Sequence, residues 1–173
     1  IGRNMRQLHD AFSEATEMLD IMELPHEIQD ARSAEPLVVK EGAITFNHVH
    51  FEYRDGHSLL KDFSLAIQPR EKVALIGSSG AGKSTITKLL LRLYEVGSGT
   101  ISIDGQNIAQ ATQESVRRNI AFVPQESLLF HRSLMDNIRY GRQGATDDEV
   151  IEAAKQAHCH EFISQYQEGF ETM

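Results

Sequence analysis

The chain has 173 residues, of which 40% are hydrophobic and 24% charged, and its formal net charge is −8. This composition excludes a disordered polymer and is sufficient for one sizeable core. The negative charge argues against a nucleic-acid surface, and no apolar run reaches the roughly 20 residues of a membrane span. The single cysteine, Cys159, excludes an internal disulfide.

The first 24 residues have a heptad spacing of apolar side chains, which predicts a helix over 1–24. The seam consists of Ile1, Met5, Leu8, Phe12, Ala15, Leu19 and Met22, and Pro25 ends it. On the residues alone, the helix either packs on its own domain or descends from an upstream domain. The polar segment 25–41 contains two prolines and predicts a linker. Because the chain begins with isoleucine, we expect a piece of a longer protein.

From residue 42 onward, the pattern predicts a domain of strands followed by helices. The predicted strands lie at 43–53, 59–67, 72–76 and 120–124, and the segment 97–105 predicts a turn, a further strand and a second turn. The first alternates imperfectly and predicts an irregularity near Asn47. The runs at 72–76 and 120–124 are continuously apolar, as in strands buried on both faces. The predicted helices lie at 83–94, 114–119, 133–141, 146–157 and 160–168, and Thr146 and Glu149 have capping-box spacing.

A glycine-rich segment, GSSGAGKST at 77–85, lies between a predicted buried strand and a predicted helix. It contains the pattern G-x-x-x-x-G-K-[ST], in which small residues let backbone N–H groups approach phosphate oxygens. A helix that begins near Lys83 directs its free N–H groups and positive dipole end at the same place. The segment therefore predicts a phosphate-binding loop formed by Gly77, Ser78, Ser79, Gly80, Ala81, Gly82, Lys83, Ser84 and Thr85.

Within this loop, Lys83 supplies a positive charge for the β- and γ-phosphates of a nucleotide, and Ser84 supplies a hydroxyl ligand for Mg²⁺. Two residues elsewhere are candidates for the same site. Tyr53 ends a predicted strand and offers an aromatic face for a purine, and Gln125 follows a buried strand and offers an amide oxygen for Mg²⁺ or water. Taken singly, a core tyrosine and a loop glutamine are the simpler interpretations.

Together, these residues resemble the ATP-binding cassette (ABC) family, specifically the nucleotide-binding domain of exporters. The resemblance covers residues 43 to about 172 and includes the stretches ITFNHVHFEYRDGHSLLKDFSLAI, KVALIGSSGAGKSTITKLLLRLY, GSGTISIDGQNI and VRRNIAFVPQESLLFHRSLMDNIRYG. It implies an α/β fold: a P-loop (RecA-like) core, here incomplete, with an antiparallel β-subdomain and part of a helical subdomain. It also implies that ATP and Mg²⁺ bind, with Tyr53 stacking on adenine and Gln125 sensing Mg²⁺ and the γ-phosphate.

The resemblance also implies partners and a location. Residues 126–133 would face a transmembrane domain, a second nucleotide-binding domain would complete a dimer, and the domain would lie on the cytoplasmic face of a membrane. The helix 1–24 would continue from the last transmembrane helix, the linker would occupy 25–41, and 42–173 would be a partial nucleotide-binding domain that is soluble by itself.

Three motifs of the family have no match in the sequence: the LSGGQ-type signature, an apolar run that ends in Asp-Glu, and a histidine beyond His160. We therefore expect this chain to bind nucleotide at best, with hydrolysis of ATP dependent on a longer parent. Lys83 and Gln125 are the catalytic candidates that it contains. The alternatives are a non-transport ABC ATPase and a regulatory P-loop protein that only binds nucleotide.

Overall fold

The computed structural model describes residues 12, 15–16, 18–24, 27–53, 56, 58–126 and 128–173. The chain divides into two units, Ile1–Ala121 and Phe122–Met173. Residues 18–22 are helical, as the heptad pattern predicts, whereas residues 1–11 of the predicted helix lie outside the described residues. In the part of the chain that the structure describes, no helix has the length and apolarity needed to cross a bilayer.

The first unit contains an antiparallel sheet of four strands in the order β2-β1-β3-β4. The strands are β1 (Ile44–Glu52), β2 (Ser58–Ile67), β3 (Ser98–Ile103) and β4 (Gln106–Asn107). Between β2 and β3 lies helix α1 (Lys83–Leu90), and after β4 come a 3₁₀ turn (Ile108–Gln110) and helix α2 (Gln113–Arg118). The antiparallel β-subdomain implied by the resemblance is therefore present.

The irregularity predicted near Asn47 is confirmed as a break in the pairing of β1 with both of its neighbours. The register with β2 shifts between Phe46 and Val49, and the register with β3 shifts between Asn47 and His50. His48 lies inside this bulge with a φ of 49°, and its carbonyl oxygen would lie 2.3 Å from a Cβ added at Gly99. Only glycine therefore fits where β3 passes the bulge.

The sheet and α1 enclose the core of the first unit. Phe46 and Val49 of β1, Ile101 of β3 and Leu89 of α1 belong to one buried cluster. Leu37, from the segment predicted as a linker, is buried in the same cluster. Each such side chain contributes about 1.5–3 kcal/mol when it is fully buried.

The segment predicted as a linker follows the domain surface as a strap, which we define as residues 27–43. The strap has no regular secondary structure but is held at several places along its length. Asp30 accepts a hydrogen bond from the N–H of Gln113, and Glu35 forms a parallel bridge with Ala111. The N–H groups of residues 40–43 all donate to the carboxylate of Asp104.

The prediction of strands at 72–76 and 120–124 was wrong, because neither segment has regular secondary structure. Within the described residues, no backbone hydrogen bond joins 72–76 to another strand. Ile76 is 95% exposed and Val123 is 86% exposed. An apolar run becomes a buried strand only when neighbouring strands satisfy its backbone groups, and none does so for these two runs among the described residues.

The helix predicted at 83–94 ends earlier, at Leu90, because Arg92 has a φ of 49°, which lies in the left-handed region and cannot continue a right-handed helix. The N–H of Arg92 donates to the carbonyl of Leu89, and that of Leu93 donates to the carbonyl of Lys88. This pair of bonds is a Schellman motif, in which glycine is the usual residue at the left-handed position. Arginine at that position implies a compensating role for its side chain.

The second unit contains helices α3 (Leu134–Arg139), α4 (Asp147–Gln156) and α5 (His160–Ile163) and a 3₁₀ turn (Gly169–Glu171). The predicted capping box is confirmed: Thr146 and Glu149 exchange side-chain and backbone hydrogen bonds at the start of α4. The helix predicted at 160–168 is shorter and ends at Ile163, where the Ser164 hydroxyl bonds back to the carbonyl of His160.

Candidate phosphate-binding site

The glycine-rich segment forms an exposed loop that leads directly into α1. Gly80 and Gly82 have φ values of 82° and 89°, which side chains rarely adopt. A Cβ added at Gly82 would also lie 3.3 Å from Cγ of Leu59 on β2. The small residues thus allow both the turn of the loop and its close approach to the sheet.

The start of α1 offers free hydrogen-bond donors. Gly82 is the N-cap residue and provides no side-chain cap, and the N–H of Ile86 makes the first helical bond, to the carbonyl of Gly82. The N–H groups of Lys83, Ser84 and Thr85 precede that bond and have no carbonyl four residues back within the helix. The first turn contains no acidic residue, so the positive end of the helix dipole is not neutralised locally.

Lys83 folds back over the loop. Its Nζ atom donates to the carbonyl oxygens of Gly77, at 2.8 Å, and Ser78, at 2.7 Å. The ammonium group therefore lies beside the loop backbone. Loop, helix start and lysine together supply N–H donors that suit an anion with several oxygens.

Tyr53 contacts Thr85 at the end of this loop, and its predicted stacking on adenine stays a prediction. Its hydroxyl is 2.9 Å from Oγ1 of Thr85, in the first turn of α1. Its ring packs edge-on against Phe51 and Tyr94, with centroid distances of 4.8 Å and 5.3 Å. A cleft of about 550 Å³ also borders Tyr53, but its lining contains Tyr94 and Glu95 and none of residues 77–85, all of which the structure describes.

Gln125 belongs to the second unit, in an exposed segment without regular structure. Its predicted role toward Mg²⁺ stays a prediction. Ser84 is exposed at the start of α1, and its hydroxyl oxygen has the chemistry of a Mg²⁺ ligand. Among the described residues, no cluster of three histidine, cysteine, aspartate or glutamate side chains forms a separate metal site.

The segment 126–133 presents apolar side chains to solvent. Leu128 is 94% exposed, and Leu129 and Phe130 are also largely exposed. Asn137 on α3 holds this segment: its Oδ1 accepts from the N–H of Phe130, and its Nδ2 donates to the carbonyls of Phe130, Arg132 and Ser133. The sequence did not single out Asn137, which lies in the middle of the helix predicted at 133–141, although asparagine side chains commonly bond to nearby backbone groups.

Sequence reasoning also missed Arg92 and Asp30, which contact each other between α1 and the strap. No local pattern marks these residues, because they are 62 positions apart. The carboxylate of Asp104, in the turn between β3 and β4, accepts four backbone N–H bonds, which lower its pKa well below the usual range.

Comparison with known proteins gives consistent results. The family model described as ABC transporter matches residues 60–172. The chain is 44% identical over 171 residues to human ATP-binding cassette sub-family B member 6, covering 99% of the chain and 20% of that protein. It is 42% identical over 172 residues to heavy metal tolerance factor 1 of Caenorhabditis elegans, covering 99% of the chain and 22% of that protein.

Among solved structures, a bacterial Atm1-family ABC exporter with ATP bound superposes with a TM-score of 0.87 at 39% identity. The match covers 97% of the chain and 29% of the exporter chain. The chain thus spans about one fifth of the length of the curated relatives it matches.

Proposed function

Because the chain belongs to the ABC transporter family, we propose that it is the ATP-binding portion of an exporter, which couples the binding and hydrolysis of ATP to export of a substrate across a membrane. One observation carries this proposal. The loop at 77–85 ends on the free N–H groups of α1, with the ammonium of Lys83 folded over the loop. Such an arrangement binds a polyphosphate through backbone donors, a helix dipole and one full charge.

In this proposal, residues 77–85 bind the phosphates and Tyr53 stacks on the adenine. Ser84 and Gln125 would hold Mg²⁺, whose charge offsets that of the β- and γ-phosphates when it is bound. Lys83 and Gln125 would act in catalysis, Lys83 by stabilising charge on the γ-phosphate. Hydrolysis would depend on a carboxylate and a signature motif that are not among these 173 residues.

The proposal includes partners. A second nucleotide-binding domain would complete the ATP site, and a transmembrane domain would contact residues 126–133, whose exposed Leu128 and Leu129 suit such a contact. The domain would lie on the cytoplasmic face of the membrane. Residues 1–24 would continue from the transmembrane domain, and residues 42–173 would form part of the nucleotide-binding domain. Residues 25–41 would be the linker between these two parts.

The test measures whether Mg-ATP raises the melting temperature of the chain. At roughly one hundred times the dissociation constant, a ligand that binds only the folded state stabilises it by about 2.7 kcal/mol. We expect this shift in the wild type and in Lys88→Ala, which removes an exposed lysine from the last turn of α1. We expect no shift in Lys83→Ala.

Circular dichroism establishes that each variant is folded. An equal shift in Lys83→Ala and Lys88→Ala would refute phosphate binding by the loop. No shift in a folded wild-type chain would refute the proposal that these residues bind nucleotide by themselves.

A further inference from the structure

The hydrogen bond between Tyr53 and Thr85 joins the end of β1 to the first turn of α1. The two oxygens are 2.9 Å apart, and the residues are 32 positions apart in the chain. Thr85 is only 5% exposed, so water cannot readily replace the phenol as its partner. The bond is therefore part of the folded structure rather than a surface contact.

The position of the phenol does not depend on Thr85 alone. Tyr53 packs at near right angles against Phe51 and Tyr94, and these two rings also contact each other at 5.6 Å. Phe51 is a core residue of β1, and Tyr94 follows the end of α1. The packing of this cluster fixes the Tyr53 ring and thereby places its hydroxyl next to Thr85.

Either hydroxyl can donate in the bond between Tyr53 and Thr85. A phenol is a stronger hydrogen-bond donor than an aliphatic alcohol, which favours Tyr53 as the donor. In that arrangement, the hydroxyl proton of Thr85 is left for another acceptor. In a helix, threonine otherwise uses this proton on the carbonyl three or four residues back, which for Thr85 is that of Gly82 or Ala81.

We infer that Tyr53 is a positioning residue for phosphate binding, acting through Thr85, in addition to any stacking of its ring on a base. The phenol fixes the Thr85 side chain and first turn of α1, so that the N–H and hydroxyl proton of Thr85 are directed toward a phosphate oxygen. This inference rests on the proposed function, because it takes the loop at 77–85 to be the phosphate site. It assigns to the hydroxyl of Tyr53 a role that a stacking ring does not need.

The test separates the ring from the hydroxyl by using a ligand that has no base. Binding of Mg-ATP and of magnesium tripolyphosphate is measured by calorimetry for the wild type and Tyr53→Phe, which keeps the ring and loses the hydroxyl. We expect Tyr53→Phe to weaken the binding of both ligands by the same factor, about 2- to 10-fold, which is the effect of losing one hydrogen bond. Tyr53→Ala also loses the ring, so it should weaken the binding of ATP more than that of tripolyphosphate.

Two variants of Thr85 complete the design. Thr85→Ser keeps the hydroxyl and should bind tripolyphosphate like the wild type. Thr85→Val should lose at least as much affinity as Tyr53→Phe, because it removes the hydroxyl that contacts the phosphate as well as its bond to Tyr53. The double variant Tyr53→Phe/Thr85→Val should lose no more than Thr85→Val alone, because Tyr53 acts only through Thr85. Melting temperatures without ligand show whether a loss of affinity reflects a loss of folding instead.

The inference is overturned if Tyr53→Phe weakens only ATP or neither ligand, or if the effects of the two single variants add. It is also overturned if the wild type binds ATP but not tripolyphosphate. These outcomes differ from failure of the proposed function, in which Lys83→Ala would leave the binding of both ligands unchanged.

Discussion

Asp30 and Arg92 form an ion pair between the strap and the end of α1, with Oδ1 and Nη1 3.1 Å apart. The Arg92 side chain is 2% exposed and also bonds to the carbonyl of Ala111 and the carboxylate of Glu95. The same Asp30 carboxylate accepts the first N–H of α2, from Gln113. One side chain of the strap therefore fixes the ends of two helices, and the ion pair compensates for arginine at a glycine-like position.

We expect Asp30→Ala to lower the free energy of unfolding by about 1–3 kcal/mol, because it leaves a buried guanidinium short of a charged partner. Chemical denaturation followed by circular dichroism measures the change. The matched control is Glu114→Ala, which removes an exposed ion pair with Arg118 and should change stability by about 0–1 kcal/mol. Equal effects of the two substitutions would show that Asp30 does not stabilise Arg92.

Asp104 should make stability depend on pH. Its carboxylate accepts N–H bonds from Lys40, Glu41, Gly42 and Ala43, and these bonds lower its pKa. Since the folded pKa lies below the unfolded one, the stabilisation is complete above the ordinary carboxyl pKa of about 4 and is lost as the pH falls below that value.

Urea unfolding of the wild type and Asp104→Asn, measured between pH 7 and pH 3, tests this dependence. The variant should be less stable at pH 7 and should lose less stability on acidification. Glu41→Gln is the control, because it removes a charge from the same segment while its backbone N–H remains. A wild type and an Asp104→Asn variant with the same slope against pH would contradict the prediction.

Alanine substitutions at Gly99 and Gly105 separate the cost of backbone strain from the cost of a steric clash. Both have positive φ, 83° and 76°, but a Cβ at Gly99 would meet the carbonyl oxygen of His48, whereas a Cβ at Gly105 would meet nothing within 4 Å. Gly105→Ala should cost about 1–2 kcal/mol through strain alone. Gly99→Ala should cost more, because β1 must move away from β3. Thermal unfolding of both variants provides the comparison, and similar melting temperatures would count against the contact at the bulge.

Asn137→Ala should loosen the apolar segment at 128–133. The substitution removes the hydrogen bond that Oδ1 accepts and those that Nδ2 donates, and each such bond contributes about 1 kcal/mol to stability. Hydrogen exchange at the amide of Phe130 should become faster, while the amides of α4 keep their protection. The control Ser164→Ala removes a single side-chain bond, to the carbonyl of His160, in the same unit. Unchanged exchange at Phe130 would mean that Asn137 does not hold the segment.

Local patterns predicted several parts of this molecule correctly. The alternation in β1, the bulge near Asn47 and the capping box at Thr146 depend on neighbouring residues, and the structure confirms all three. The position of α1 directly after the glycine-rich loop is also confirmed. Such features follow from periodicity and from the φ values and hydrogen bonds that particular residue types favour.

Features that depend on distant residues were not predictable in the same way. The apolar run at 72–76 has the composition of a strand, but composition does not provide a pairing partner. The strap has the composition of a linker, yet Asp30 and Leu37 dock it through contacts with residues more than 60 positions away. In the candidate site, the motif predicted the loop, whereas the bond between Tyr53 and Thr85 required the fold.

The two bonds from Lys83 to the loop carbonyls affect how a lysine variant is interpreted. An ammonium group has three N–H donors, and the carbonyls of Gly77 and Ser78 take two of them. Lys83 therefore stabilises the conformation of the loop and also supplies a positive charge for a ligand. Its removal changes both the shape and the electrostatics of the loop, so Lys83→Ala reports the sum of a conformational and a recognition effect.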